Sequence, residues 1–481
     1  MSSKVITEGD RALKANVARE LFNIDGAGIK VGIISTSFDT LQQASDDVIS
    51  GDLPGTGNPD ERIAPVQILR DLRQGSIFAN DEGRAVAQII HDIAPGAKLL
   101  FHTAIGDDGG DPSDVNDESY TKAVNALVEA DVDIIFDDAQ FSTSIFQDGK
   151  AAQAVQDAVS DGVVYVSAAG NNGILSYQDD YRGSNEAFSF GGKNFEAYDF
   201  DPGGNVDLFQ DITVTRDGTL LLPTLTWDNP VGKVTSNLEM LLLDSPSLPG
   251  QGGNVLAVSD IPSPSAAEYP IRSLAYAPIK DRKLYLSIGR ELNDAPAPDR
   301  VKWISLANGL DRTTKYQYVN DSDRETGSPT VFGPANTDET ITVGATDYQQ
   351  NLDAGVNLPE LRSYSSRGGI PILYDEDGDP LLNPDMRSKP EVTAPDEVLT
   401  TFEAGTQFNP FRGTSASAAH IAGVVALMEQ AAGGSENLSP EEIKTILQRT
   451  SIPLSPQPGV PSSTGFVQAD LAVAAAELTS L

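Results

Sequence analysis

The stretch FRGTSASAAHIAGVVALM, residues 411–428, decides how the rest of the chain is read. A Gly-Thr-Ser triplet opens onto small and apolar residues with no acid, lysine or arginine as far as Met428, the composition of a helix buried on all sides. Ser415 falls in the first turn of that helix, where unpaired backbone N–H groups and the helix dipole favour negative charge on a nearby oxygen. A serine so placed either caps the helix or attacks a substrate. Attack requires a base within hydrogen-bond reach and donors for the oxyanion that develops.

Outward from this segment the chain alternates buried-strand and helix patterns. IKVGIIS (29–35), AKLLFHTA (97–104), VDIIFDD (132–138) and VVYVSAA (163–169) read as strands. DEGRAVAQIIHDI (81–93), YTKAVNALVEA (120–130) and AAQAVQDAVSDG (151–162) read as helices, so a parallel sheet is expected. Between residues 183 and 335 the helical period disappears, and alternating runs such as SNLEMLLLD and RVKWISL predict an inserted β-sandwich. TITVGATD (340–347) resumes the α/β pattern, and Ser439 with Glu442 marks a helix start by capping-box spacing. The expected organisation is 1–182 and 336–481 as two parts of one α/β domain, with 183–335 inserted.

Composition narrows the functions. The chain of 481 residues carries 70 Asp and Glu against 33 Lys and Arg, a net charge of −37, which excludes the basic footprint that nucleic acid or an anionic membrane requires. Cysteine is absent, so disulfides, thiolate metal sites and thiol nucleophiles are excluded. The N-terminus lacks a signal-peptide pattern and no run reaches a membrane span. The expected location is outside the cell if a leader has been removed and the cytoplasm otherwise.

GTSASAAHIAGVVAL resembles the nucleophile motif of the subtilisin-like serine peptidases: Gly-Thr-Ser, three small residues, then Pro-His-Val-Ala-Gly, with Ala419 in place of the proline. SAAGNNG (167–173) is similar to that family's Ala-Gly-Asn segment, and VGATD, SYSSRG and KPEVTAPD fall in the family's order. The resemblance implies a subtilisin-like fold, a jelly-roll-like insert, Ser415 as nucleophile, Asn171 as the side-chain donor to the oxyanion, and His420 as a structural histidine.

The family's base histidine is missing. Glu82-Gly83-Arg84 stands where the family has His-Gly-Thr. His91 is about 13 Å further along the same helix at ~1.5 Å per residue, and His102 lies in the next strand. Glu82 is therefore the candidate general base, similar to the Ser-Glu-Asp set of the acid-active sedolisins. Their aspartate four residues on is Val86 here. The aspartate slot of the first strand is also degenerate, holding Ser35 by strict alignment or Thr36 after a shift of one. Candidate third acids are Asp39, Asp81, Asp137 and Asp138.

Together these readings predict a serine-type endopeptidase with Glu82 as base. The alternative is a degenerate pseudoprotease that binds peptides without turnover. The chemistry requires no cofactor and no metal ligand is assigned. Calcium is a candidate for the acidic stretches 106–119 and 374–380, although an Asp-Gly hairpin turn is the competing reading of the second. The expected partner is a peptide or protein substrate, and the chain is expected to be a monomer.

Overall fold

The computed structural model describes residues 4–106, 116–141, 145–259, 269–293, 295–307, 310, 313–319, 328–352 and 358–479. The largest sheet has nine strands: β1 (Lys30–Ser35), β2 (Gln67–Arg70), β3 (Lys98–Thr103), β4 (Ile134–Asp137), β5 (Val164–Ala168), β6 (Ile341–Asp347), β7 (Val392–Asp396), β8 (Ile452–Pro453) and β9 (Gly465–Phe466). Their spatial order is β2-β3-β1-β4-β5-β6-β7-β9-β8, and only β8 and β9 pair antiparallel. β1 lies between β3 and β4, so the chain winds outward from it in both directions. In such sheets the strand ends at this reversal are where ligands meet the protein.

The helices are α1 (Gly9–Ala12), α2 (Ala15–Phe22), α3 (Ala44–Ser50), α4 (Glu82–Ile93), α5 (Asp117–Glu129), α6 (Lys150–Ser160), α7 (Tyr348–Leu352), α8 (Thr414–Ala431), α9 (Pro440–Thr450) and α10 (Ala469–Thr479). Strand alternation divides the core in two. Val31, Ile33, Phe136 and Val166 pack with α4 and α8 on one face, whereas Ile34, Ile135 and Tyr165 pack with α5 and α6 on the other. α8 is buried along nearly its whole length, as its composition predicts.

Caps explain where two helices begin. α5 starts at Asp117, ahead of the expected 120, because Asn116 and Ser119 form a reciprocal capping box. The predicted Ser439–Glu442 box forms at α9. The segment ahead of β1 is anchored to α8: Thr7 Oγ1 lies 2.9 Å from His420 Nε2, and His420 Nδ1 is 2.7 Å from the Ala416 carbonyl. Gly9 sits flat against that ring, where a Cβ would come within 1.9 Å of Nε2.

Between Ser176 and Tyr316 the chain forms two antiparallel sheets, one of four strands and one of seven. Trp227, Trp303, Tyr198, Met240 and Leu286 fill the space between them. The other face of the four-stranded sheet is also covered, with Ile304 against Ile145, Phe332 and Ile370. Lys302 shares this outward face and is fully buried. Its Nζ donates to Ser176 Oγ at 2.8 Å and Ser328 Oγ at 2.9 Å, and the two hydroxyls are 2.7 Å apart.

Candidate active site

Ser415 occupies the first turn of α8 and is 6 % exposed. The turn before it is made by Gly413, whose φ of 133° suits glycine. Thr414 ties this turn to the end of β5: its N–H donates to Asn171 Oδ1 at 3.0 Å, its hydroxyl donates to the same oxygen at 3.2 Å, and it accepts from the Gly170 N–H at 3.0 Å. These bonds orient the Asn171 carboxamide, with Nδ2 the atom nearest a Cβ built on Gly413, at 3.1 Å. A primary amide is thus held with its oxygen engaged and its N–H₂ beside the serine turn.

Glu82 is the first residue of α4, and that turn is pinned on three sides. Asp81, in the left-handed region at φ 58°, is fully buried and accepts from the Thr40 N–H at 2.9 Å, the Leu41 N–H at 3.0 Å, and the hydroxyls of Ser37 and Thr40. Gly83 packs directly on the loop after β1, donating to the Ser37 carbonyl at 2.9 Å, and any Cβ there would strike Phe101 at 2.3 Å. Arg84 is buried, pairs with Asp47 and lies 4.0 Å over the Phe402 ring. With the turn fixed, the carboxyl of Glu82 lies against the Ser415 hydroxyl and the Asn80 side chain. Burial pushes it up to about 7, and hydrogen bonding from those two groups offsets part of the rise.

Of the four candidate third acids, the structure brings Asp138 alone to the serine. It follows β4 directly and points to the same side as Phe136, toward α4 and α8. Its carboxyl contacts the hydroxyls of Ser415 and Ser35. Burial first, and the neighbouring charge of Glu82 second, hold Asp138 well above the ordinary carboxylate range. Asp138 Oδ2 and Ser35 Oγ are buried without an aligned hydrogen bond. The serine hydroxyl and the two carboxyls are thus in mutual contact.

The other three acids are placed elsewhere. Asp137 points to the opposite face, toward Tyr120, Tyr165 and Ser167, where burial raises it to about 7. Asp39 caps α3 through the N–H groups of Gln43 and Ala44, at 2.8 and 2.9 Å. Asp81 is consumed by the turn described above. Both residues of the degenerate slot face the site, Ser35 toward Asp138 and Thr36 through its hydroxyl onto Asn80 Oδ1. Asn80 also accepts from the Glu82 N–H at 3.1 Å. Sequence reasoning missed Asn80, although an Asn two residues ahead of the candidate base was its visible signal.

None of the three histidines reaches Ser415. His91 is buried in α4 with both ring nitrogens unpartnered, His102 bonds the Thr103 carbonyl at 2.7 Å, and His420 faces Thr7. Among the described residues no group of three or more acidic or histidine side chains is arranged to hold a metal. The candidate calcium segment 106–119 lies largely outside the described residues. The other, 374–380, closes a hairpin in which Asp375 accepts from the N–H groups of Asp377 and Asp379.

The parallel sheet and the buried serine helix with the amide beside it define a subtilisin-like fold. Residues 302–468, which include Ser415, match the Subtilase family; Glu82 and Asn171 lie outside the matched residues. The fold is similar to that of the CspB protease of Clostridium perfringens, with a TM-score of 0.56 at 16 % identity over 98 % of this chain and 99 % of that one. Fervidolysin from Fervidobacterium pennivorans, a keratinolytic enzyme related to subtilisin, gives 0.43 at 15 % identity over 97 % of this chain and 45 % of that one. The prenylagaramide maturation protease PagA gives 0.44 at 13 % identity over 95 % and 98 %. A comparison with curated protein sequences finds no match.

Proposed function

We propose that this chain is a serine endopeptidase in which Glu82 takes the place of the usual imidazole. Ser415 Oγ attacks the peptide carbonyl and its proton passes to the Glu82 carboxylate. The Asn171 amide and the Ser415 N–H hold the oxyanion. The C–N bond then breaks, the leaving amine takes the proton from Glu82, and water repeats the sequence on the acyl-enzyme. The observation that carries this reading is the Glu82 carboxyl lying against the Ser415 hydroxyl. A carboxylate has no tautomer to fix, so the Thr36–Asn80 chain suffices to position it.

The aspartate slot filled by Ser35 and Thr36, together with the absent base histidine, supports a second reading, a peptide-binding module without turnover. A reactive fluorophosphonate and casein, applied from pH 5 to 9, separate the two. The peptidase reading expects Ser415 to be labelled and casein cleavage to vanish in Ser415→Ala. No labelling at any pH, with peptide binding unchanged in Ser415→Ala, establishes the binding module.

A further inference from the structure

We propose that Asp138 is a further catalytic residue, a neutral acid whose O–H donates to Ser415 Oγ and so directs the serine's own proton to Glu82. The proposal rests on the peptidase reading above and assigns a role that reading leaves open.

A serine hydroxyl has one proton to give and two lone pairs to receive. Two carboxyls touch the hydroxyl of Ser415, Glu82 from the start of α4 and Asp138 from the end of β4. Were both ionised, the hydroxyl would have two competing acceptors and the proton would be diverted from the base. Like charges at a shared site do not both ionise readily, and the pair titrates as a unit. The surroundings decide which member keeps its proton. Asp138 faces Ser35 from β1, Ser415 from α8 and Glu82 from α4, with Asp137 beside it in the chain, and none of its principal interactions is with a basic group. Glu82 has two hydrogen-bond donors of its own, Ser415 and the Asn80 amide. Asn80 is oriented for this by the Thr36 hydroxyl and the Glu82 N–H on its oxygen.

The balance through one turnover closes. Asp138 keeps its proton throughout and only donates a hydrogen bond, and the transferred proton moves from Ser415 to Glu82 to the leaving amine. Deacylation repeats the transfer from water to Glu82 to Ser415. The competent state therefore carries a single proton on the resting pair, held by Asp138. Loss of that proton at high pH restores the competing acceptor and lowers the rate.

The test compares pH profiles of kcat/KM for the whole chain, Asp138→Asn and Asp138→Ala. The native protein should show an acid limb and an alkaline limb. Asparagine donates permanently, so Asp138→Asn should keep turnover within about tenfold at the optimum and lose the alkaline limb, while Asp138→Ala falls by ~10²-fold or more. An alkaline limb that persists in Asp138→Asn, or an alanine variant as active as the asparagine one, overturns the assignment. A second measurement does not depend on turnover. ¹³C chemical shifts of aspartate-labelled protein, assigned by Asp138→Asn, should show Asp138 protonated at pH 7. An ionised carboxylate there overturns the proposal even if Ser415 is labelled, whereas failure of labelling with a protonated Asp138 counts against the peptidase reading alone.

Discussion

Glu82→Gln should abolish hydrolysis and, at alkaline pH, make the protein more stable. The substitution keeps the shape of the side chain and the contact to Ser415 while removing the proton acceptor. General-base catalysis is worth ~10²- to 10⁴-fold, so a loss in that range or greater is expected in kcat/KM and in fluorophosphonate labelling. The pH profile of the native protein carries the same information. With Glu82 raised to about 7, only ~1 % is ionised at pH 5, so labelling should fall about tenfold per pH unit below 7. The stability effect follows from the sign of the shift. A folded-state value above the ordinary 4.5 contributes stability that is complete below 4.5 and lost as pH rises through about 7. At pH 8 the native protein therefore bears a penalty that glutamine does not. The shift corresponds to ~3 kcal/mol, which partial exposure of Glu82 reduces to about 2 kcal/mol. Urea unfolding at pH 8 and pH 4.5 measures it. A glutamine variant that still labels at the native rate, or a labelling rate flat from pH 5 to 8, refutes the assignment of Glu82 as base.

Asn171→Asp keeps the oxygen that Thr414 bonds but removes the N–H₂ donor and adds a charge that repels the oxyanion; kcat should fall ~10²- to 10³-fold with little change in KM or melting temperature. A variant that loses substrate binding rather than kcat refutes the oxyanion role. Lys302→Met should stabilise the protein at pH 7, by about 1 to 4 kcal/mol, because burial holds this amine well below 10.5 and the two serines can still bond each other. Destabilisation in calorimetry would show that the amine's hydrogen bonds outweigh its desolvation. The melting temperature of the native chain should rise between pH 8 and about 6.5. Burial raises Asp137 and Asp396 to about 7, so protonation there favours the folded state. Below 6.5 the gain should flatten, since His91 and His420, lowered by burial to about 3 and about 4, resist the proton that the unfolded chain accepts. A steady fall from pH 8 to 6.5 contradicts the carboxyl shifts.

The fold was legible because its strands are continuous apolar runs and its serine helix is uniformly small and apolar, both signatures of burial on every side. Ser415, Glu82 and Asn171 were legible as candidates because each sits at a fixed offset from a strand end or a helix start. Which acid meets the serine was not. Asp39, Asp81, Asp137 and Asp138 are chemically identical in the sequence, and only the fold shows that two of them are spent on turns. Asp137 and Asp138 differ by one residue, and strand alternation sends them to opposite faces; which face carries the serine depends on how α8 packs. The Thr36–Asn80 link was hidden for a similar reason, since it joins segments 44 residues apart.

The fastening of the N-terminal segment to α8 places a lever on the turn that carries Ser415. His420 holds Thr7 with one nitrogen and the carbonyl of Ala416, next to Ser415, with the other, so strain applied ahead of residue 9 reaches the first turn of α8 through a single imidazole. Cutting, tagging or crowding the chain's beginning should thus register as altered serine reactivity, although that end takes no part in the chemistry.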